Sequence, residues 1–265
     1  MGAGEAFFPR RSFDVLRGKL TPLVQHHRGG DRTRAGRVWS PRREGYSSYI
    51  GDRAVKAPMM RKIITTTFVT LDGVMQAPGG PEEDESGGFA YGGWTAGADY
   101  WDDVASDMMN DIMGRPFELL LGRQTYEIFA SYWPTATTDQ EVAAPFNATV
   151  KHVVSHEPFE LTWHNSELIT GDVVGKIRAL KDVDGPDLWV HGSGDLIQTL
   201  LANDLVDRML VWTFPVTVGS GKRLFAEGTQ PRSFRLVDSK VTATGVIIAT
   251  YEPAGPLQVG TAGGN

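Results

Sequence analysis

Three short segments carry residues that could bind phosphate groups, and each of them follows a run of apolar residues. They are Gly122-Arg123-Gln124-Thr125, Gly192-Ser193-Gly194 and Ser155-His156. An arginine presents a fork of N–H donors that matches a phosphate, and glycines let a backbone approach one closely. Free N–H groups at the start of a following helix add to such a site. The segments therefore predict that the chain binds a phosphorylated ligand.

The details of these segments leave alternatives open. Thr125 is expected to cap a helix that starts at Tyr126 and to offer its hydroxyl to the same phosphate. Arg123 could instead form an ordinary surface ion pair. The second segment is not a complete dinucleotide fingerprint, because Ile197 stands where the third glycine belongs. Asp195 would repel a pyrophosphate, so its side chain must point away if the segment binds one.

Other chemistries lack the residues that they require. The chain has no cysteine, which excludes disulfides, thiolate nucleophiles and cysteine-bound metals. Arg223 follows Gly221-Lys222 where a P-loop needs serine or threonine, and no G-x-S-x-G or H-E-x-x-H pattern occurs. We expect no metal site. The acidic run 82–85 is interpreted as a solvated face.

Charge divides the 265-residue chain into two parts. Residues 1–58 hold 12 basic and 5 acidic side chains, whereas the rest of the chain holds 14 and 27. We interpret residues 1–58 as a disordered extension; the alternatives are an export signal, a transit peptide or a nucleic-acid-binding arm. Met59 is a possible alternative start. The formal net charge of −6 for the whole chain argues against nucleic acid as a partner.

The remaining segments outline one domain at 59–252 and a disordered tail at 253–265. No apolar run approaches the roughly 18 residues of a membrane span, so we expect a cytoplasmic protein. Strands are predicted at 62–71, 117–121, 151–155, 167–170, 188–191, 208–214, 233–239 and 241–251. Helices are predicted at 99–113, 126–132, 172–181 and 195–202.

This alternation predicts an α/β fold with a mixed, mostly parallel sheet flanked by helices. The final strand pair supplies an antiparallel edge. Ligands of such sheets bind outside the carboxyl ends of the strands, and the three segments predicted to bind phosphate all lie there. The long loop 76–98 is expected to be either functional or disordered.

Several motifs, taken in order, resemble the dihydrofolate reductase-like superfamily. They are Asp72-Gly73-Val74, Leu120-Leu121-Gly122-Arg123-Gln124-Thr125-Tyr126-Glu127, Val190-His191-Gly192-Ser193-Gly194, Leu205-Val206-Asp207, Pro215-Val216 and Gly219-Ser220-Gly221-Lys222-Arg223-Leu224-Phe225. More narrowly, residues 60–252 resemble stand-alone relatives of the reductase domain of the bifunctional riboflavin-biosynthesis deaminase/reductase. The zinc ligands of the deaminase domain are not present, so the resemblance covers the reductase alone.

The resemblance implies a three-layer fold, a homodimer, and hydride transfer from NADPH bound along the rim of the sheet. Gly122, Arg123 and Thr125 would hold adenosine-side phosphates, and Ser155 would lie near the 2′-phosphate. The pyrophosphate would bind Gly192, Ser193 and Gly194. NADPH brings the reactivity, so the protein needs to supply only position, orientation and at most one proton donor.

The resemblance offers two candidate proton donors, Asp72 and Asp99. We favour a helix N-cap as the role of Asp99, and water could supply the proton. The substrate would be a small pyrimidine- or pterin-like heterocycle, and could be the phosphoribosylated riboflavin intermediate. Trp94, with Tyr91, would stack on such a ring. Gly219, Gly221 and Lys222 belong to a loop that would bind the substrate. There Lys222 and Arg223 would provide a basic pocket for its phosphate, unless the segment is a plain surface loop.

Two functions follow. The first is an NADPH-dependent reductase of a small heterocycle. The alternative is a nucleotide-binding protein that keeps the fold without catalysis. Binding of NADPH without turnover would favour the second function.

Overall fold

The computed structural model of the chain describes residues 60–262. The predicted extension at 1–58 and the alternative start at Met59 lie outside the described residues. Runs of β-branched and apolar residues form the strands, because such side chains pack well on a pleated, buried surface.

The strands form a sheet of eight, in the order β4-β3-β2-β5-β1-β6-β8-β7. Their bounds are β1 Ile63–Thr70, β2 Phe117–Gly122, β3 Lys151–Val154, β4 Ser166–Ile169, β5 Asp187–His191, β6 Arg208–Phe214, β7 Arg232–Val241 and β8 Ile247–Pro256. The first six strands are parallel to one another, and β8 and β7 complete the sheet in antiparallel fashion. The predicted mixed sheet with an antiparallel edge is confirmed.

Five α-helices connect the strands within residues 60–262. Their bounds are α1 Asp103–Met113, α2 Arg123–Tyr132, α3 Gln140–Ala148, α4 Val173–Lys181 and α5 Gly194–Ala202. Short 3-10 helices occur at Ser86–Gly88 and Trp133–Thr135.

The two faces of the sheet bury separate hydrophobic clusters. Leu119 and Leu121 of β2 pack with residues of α1, α2 and α3, whereas Leu120 packs with residues of α4 and α5. Trp189 of β5 belongs to the first cluster, and its neighbour Val190 belongs to the second. This alternation follows from the two-residue period of a strand. The result is the three-layer α/β architecture that the resemblance implies.

The structure corrects several predicted boundaries. The helix predicted from Asp99 begins at Asp103, and α2 begins at Arg123 rather than Tyr126. Helix α3 was not predicted at all. Strand β8 runs to Pro256, so its last residues lie in the segment assigned to a disordered tail.

Candidate functional site

A cleft of about 690 Å³ opens at the carboxyl ends of the parallel strands. Residues from the ends of β1, β2, β3 and β5 line it, together with residues of the long loop that follows β1. Because parallel strands all end at one edge, segments that are distant in sequence meet there. The volume is typical of ligand and cofactor sites.

The two glycine-containing turns, at 122–125 and at 192–194, meet in this cleft. We call them the first and the second corner. Gly122 donates its backbone N–H to the hydroxyl of Ser193 at 3.0 Å. Ser193 in turn donates its own backbone N–H to Oγ1 of Thr125 at 3.1 Å. The predicted convergence of Arg123 with residues 192–194 is therefore observed, since all of them line the same cleft.

The position of Thr125 differs from the prediction. Helix α2 is capped by Gly122, in extended conformation, without a side-chain cap bond. Thr125 is the third residue of the helix, and its hydroxyl oxygen accepts the N–H of Ser193. Its role is thus to join the two corners.

The second corner has a left-handed backbone. Gly192 has φ +56° and Ser193 has φ +55°, and α5 begins directly afterwards at Gly194. Glycine adopts this conformation without cost, whereas a serine there is strained. A side chain at Gly194 would meet Sδ of Met75 at 3.1 Å, so this part of the cleft is narrow.

Arg123 lies at the start of α2 with its guanidinium half-exposed. Its Nε donates to the Glu127 carboxylate at 2.8 Å, and the guanidinium lies over the ring of Phe159, 4.5 Å from the centroid. The predicted surface ion pair therefore exists. Because the ion pair with Glu127 uses only Nε, the two terminal guanidinium nitrogens of Arg123 remain available to an anion.

Ser155 and His156 also line the cleft. Ser155 follows β3 and is buried, and its hydroxyl donates to the carbonyl of Glu157 at 2.6 Å. With that proton engaged, Ser155 can offer a ligand only an acceptor.

Asp72 lies at the end of the first strand but not on the wall of the cleft. Its carboxylate accepts the hydroxyl of Thr70 at 2.6 Å and the N–H groups of Gly219 and Val218 at 2.8 and 3.3 Å. The bond from Thr70, aided by those backbone bonds, lowers the pKa of Asp72 below its usual value. The observed contacts make Asp72 an anchor for the loop after β6.

Asp99 and Trp94 are also outside the wall of the cleft. Asp99 is exposed, and the N-cap of α1 is Asp102, whose carboxylate accepts the N–H of Ala105 at 3.0 Å. Trp94 is buried and donates its indole N–H to the carbonyl of Gln76 at 2.8 Å. The structure therefore brings neither residue to the cleft, and Tyr91 is exposed outside it as well.

Lys222 lines the cleft, whereas Gly219 and Gly221 do not. The ammonium of Lys222 donates to the Asp84 carboxylate at 2.8 Å and to Oε1 of Gln124 at 3.1 Å. Its charge is thus matched by Asp84, and it bridges the acidic loop to α2. Gly221 packs tightly, since an added Cβ would meet Val74 at 2.8 Å.

Gln76 was missed by the sequence analysis. Its buried amide donates to the carbonyls of Asp84 and Ser86 at 3.0 and 2.9 Å. Its Oε1 accepts the N–H of Lys222 at 3.0 Å. Gln76 therefore fastens the acidic loop to the segment after β6, and a single polar residue in a loop gives no signal of this in sequence.

The acidic run is the predicted solvated face only in part, because Glu82 and Glu85 are exposed whereas Glu83 and Asp84 are half-buried. Glu83 lines the cleft, and its carboxylate accepts the N–H groups of Gly79 and Gly80 at 2.6 and 3.3 Å. Burial, which outweighs these two bonds, raises the pKa of Glu83 to about 7. Glu83 can consequently hold a proton near neutral pH.

Within residues 60–262, no group of histidine and acidic side chains could hold a metal ion. No helix in this part of the chain has the length and apolar character needed to cross a membrane.

Comparison with known proteins agrees with this fold. Residues 61–248 match the family model of the RibD C-terminal domain, and the chain belongs to that family. The resemblance stated from the sequence is thereby confirmed.

Individual relatives are distant but extend over the same region. The chain is 25% identical to the uncharacterized protein YyaP of Bacillus subtilis, over 72% of this chain and 94% of YyaP. It is 24% identical to YwjB of the same organism, over 69% of this chain and 92% of YwjB. A solved Shewanella sp. PV-4 protein named for riboflavin biosynthesis has the same fold, with a TM-score of 0.56 and 22% identity, covering 72% of this chain and 98% of that one.

Proposed function

We propose that this protein is an NADPH-dependent reductase that transfers a hydride to a small heterocycle of the pyrimidine or pterin type. The observation that carries the proposal is the union of the Gly122–Thr125 corner with the Gly192–Gly194 corner at one cleft. Membership of the RibD C-terminal domain family supports the reductase class.

The described residues fit a phosphorylated dinucleotide except at Asp195, because a carboxylate in the first turn of α5 on the cleft wall is unfavourable for a pyrophosphate. Helices α2 and α5 both begin at the cleft, and the N–H groups in the first turn of a helix have no acceptor within that helix. These groups and the positive ends of both helix dipoles attract anions. We propose that the first turn of α5 holds the pyrophosphate, while Arg123 holds the 2′-phosphate through its free terminal nitrogens.

NADPH would supply the hydride when bound, and a second group must supply the proton. Asp72 and Asp99, the donors suggested by the resemblance, do not line the cleft. Glu83 does line it and holds a proton near neutral pH. We therefore propose Glu83 as the proton donor, because a general acid works best when its pKa lies near the working pH.

The experiment has two stages and uses the full chain. NADPH is first titrated by isothermal calorimetry, and its oxidation is then followed with a panel of pyrimidines and pterins. Binding followed by turnover supports the proposal. Binding without turnover on any substrate favours the non-catalytic alternative, and absence of NADPH binding contradicts both. The homodimer implied by the resemblance stays a prediction, which sedimentation of the same sample checks.

A further inference from the structure

The guanidinium of Arg123 is held from two directions. Its Nε donates to the Glu127 carboxylate at 2.8 Å, one turn further along α2. Its Cζ lies over the ring of Phe159, 4.5 Å from the ring centroid. A cation above an aromatic face is attracted by the electrons of the ring. The two contacts therefore restrict the motion of a cationic side chain that is otherwise half-exposed.

Phe159 belongs to the loop of residues 155–165, between β3 and β4, and does not line the cleft. It is half-buried, and its ring also packs edge-on against Tyr126, with 5.8 Å between centroids. Arg123 and Tyr126 are three residues apart on α2, so they lie on the same side of that helix. Phe159 therefore packs against the side of α2 that carries the arginine.

A buried lysine fixes the far end of this loop. Lys151 is fully buried, and its ammonium donates to the backbone carbonyls of Asn147, Thr149 and His164 at 3.0, 2.9 and 3.1 Å. It also lies over the ring of Trp163, 4.3 Å from the centroid. Burial lowers the pKa of Lys151 to about 8, so the ammonium is charged at pH 7. Movement of the loop would leave part of this buried charge without an acceptor, which is costly.

Trp163 fastens the same loop to two helices. Its backbone N–H donates to the hydroxyl of Tyr126 in α2 at 2.8 Å. Its indole N–H donates to Oδ1 of Asn147 in α3 at 2.7 Å. The loop that carries Phe159 is thus bound to α2, to α3 and to the start of β3. Phe159 is consequently a fixed surface under a side chain that would otherwise be mobile.

A fixed arginine binds an anion more tightly than a mobile one. A mobile arginine loses rotamer freedom when it binds, whereas one that is already held in place loses less. The 2′-phosphate is the group that NADPH has and NADH lacks, and Arg123 is the residue that we assign to it. Restriction of Arg123 should therefore raise the affinity for NADPH and leave the affinity for NADH unchanged.

We propose that Phe159 is a positioning residue, which determines the preference for NADPH over NADH by holding the Arg123 guanidinium in place. This inference rests on the proposed function, because that function assigns the 2′-phosphate to Arg123. Phe159 itself does not touch the cofactor.

The test measures dissociation constants of NADPH and NADH by isothermal calorimetry on the full chain at pH 7. Phe159→Leu keeps an apolar side chain and removes the ring, so we expect NADPH affinity to fall roughly 2- to 5-fold while NADH affinity stays unchanged. Phe159→Tyr keeps the ring and should keep the wild-type ratio of the two affinities. Equal weakening of both cofactors in Phe159→Leu, or an equal loss of NADPH affinity in the two variants, would overturn the inference.

Leu161→Ala is the matched control. Leu161 is half-buried in the same loop and packs against the same hydrophobic cluster as Phe159, but it has no ring to place under a guanidinium. Loss of its packing should therefore leave the ratio of NADPH to NADH affinity at the wild-type value. A change of this ratio as large as that of Phe159→Leu would contradict a specific role of the ring.

The ligand-free protein offers a second readout by nuclear magnetic resonance. The ring current of Phe159 should shift the side-chain proton resonances of Arg123 upfield, and this shift should disappear in Phe159→Leu. Arg123 resonances that are the same in both proteins would show that the ring does not hold the guanidinium.

NADPH titration of the wild-type protein tells this inference apart from the proposed function. Binding of NADPH with an unchanged affinity ratio in Phe159→Leu would overturn the positioning role and leave the reductase proposal standing. Absence of NADPH binding to the wild-type protein would overturn both.

Discussion

Gly122 and Ser193 are joined by a hydrogen bond of 3.0 Å, from the backbone N–H of the first to the hydroxyl of the second. The same hydroxyl donates to the carbonyl of His191 at 3.1 Å. One side chain thus fixes the start of α2 against the start of α5. Both helix N-termini that we assign to the cofactor consequently keep a constant separation.

Removal of this hydroxyl should weaken both stability and cofactor binding. Ser193→Ala leaves the N–H of Gly122 without its acceptor, and we expect a loss of about 1–2 kcal/mol in the free energy of unfolding, measured with urea. Ser193→Gly is the matched variant, because glycine also relieves the left-handed strain at φ +55°. It should be the more stable of the two, and the reverse order would contradict the assigned strain.

Arg123 should set the preference for NADPH over NADH. Arg123→Ala removes the cation proposed for the 2′-phosphate, so NADPH affinity should fall roughly 10- to 100-fold while NADH affinity changes little. Arg115→Ala is the control, since Arg115 forms the same type of exposed ion pair one turn from Asp111 but lies outside the cleft wall. Equal losses for the two cofactors would refute the assignment.

Glu83 should make stability depend on pH in a defined direction. Its pKa is about 7 in the folded protein and 4.5 in the reference state, so the folded state binds this proton more tightly. The resulting stabilisation is complete below pH 4.5 and is lost as the pH rises through 7. Glu83→Gln cannot ionise and still accepts both N–H groups, so its stability relative to wild type should rise between pH 5 and pH 8.

The control for this prediction is Glu82→Gln at the exposed neighbouring position. The stability of Glu82→Gln relative to wild type, measured by urea unfolding, should not rise between pH 5 and pH 8. If Glu83 donates the proton, Glu83→Gln also lowers turnover and abolishes the decline of wild-type activity above pH 7. Unaltered turnover in Glu83→Gln would show that Glu83 has a structural role and does not donate the proton.

Gln76 should be needed to hold the loop that lines the cleft. Gln76→Leu leaves two carbonyls and one N–H without their partner, at a cost of about 2 kcal/mol or more. Limited proteolysis should then cut within residues 82–98 faster than in wild type. Gln230→Leu, at an exposed position, is the comparison and should be cut at the wild-type rate.

Local patterns were sufficient to predict the sheet and its cleft. The β-branched run of β1 and the apolar runs that end at Gly122 and Gly192 place the strand ends correctly, and parallel strands then bring their following turns together. Helix α3 escaped prediction because Pro145 lies inside it, and proline is typical of loops and helix ends.

The misplaced site residues reflect long-range contacts that one sequence does not reveal. Trp94 resembled a stacking residue, yet its indole N–H reaches back to Gln76 and its ring is buried against Phe214. The acidic run resembled a solvated face, yet Lys222, far along the chain, pairs with Asp84. These contacts form only when the loop after β1 is folded against the rest of the domain, so local sequence patterns do not predict them.

Hydrogen exchange followed by mass spectrometry tests the central claim most directly. With saturating NADPH, backbone amides at the start of α2 and at the start of α5 should both exchange more slowly, because both would hold one ligand. Protection at only one of these helix starts, or protection confined to segments away from the cleft, would contradict the account.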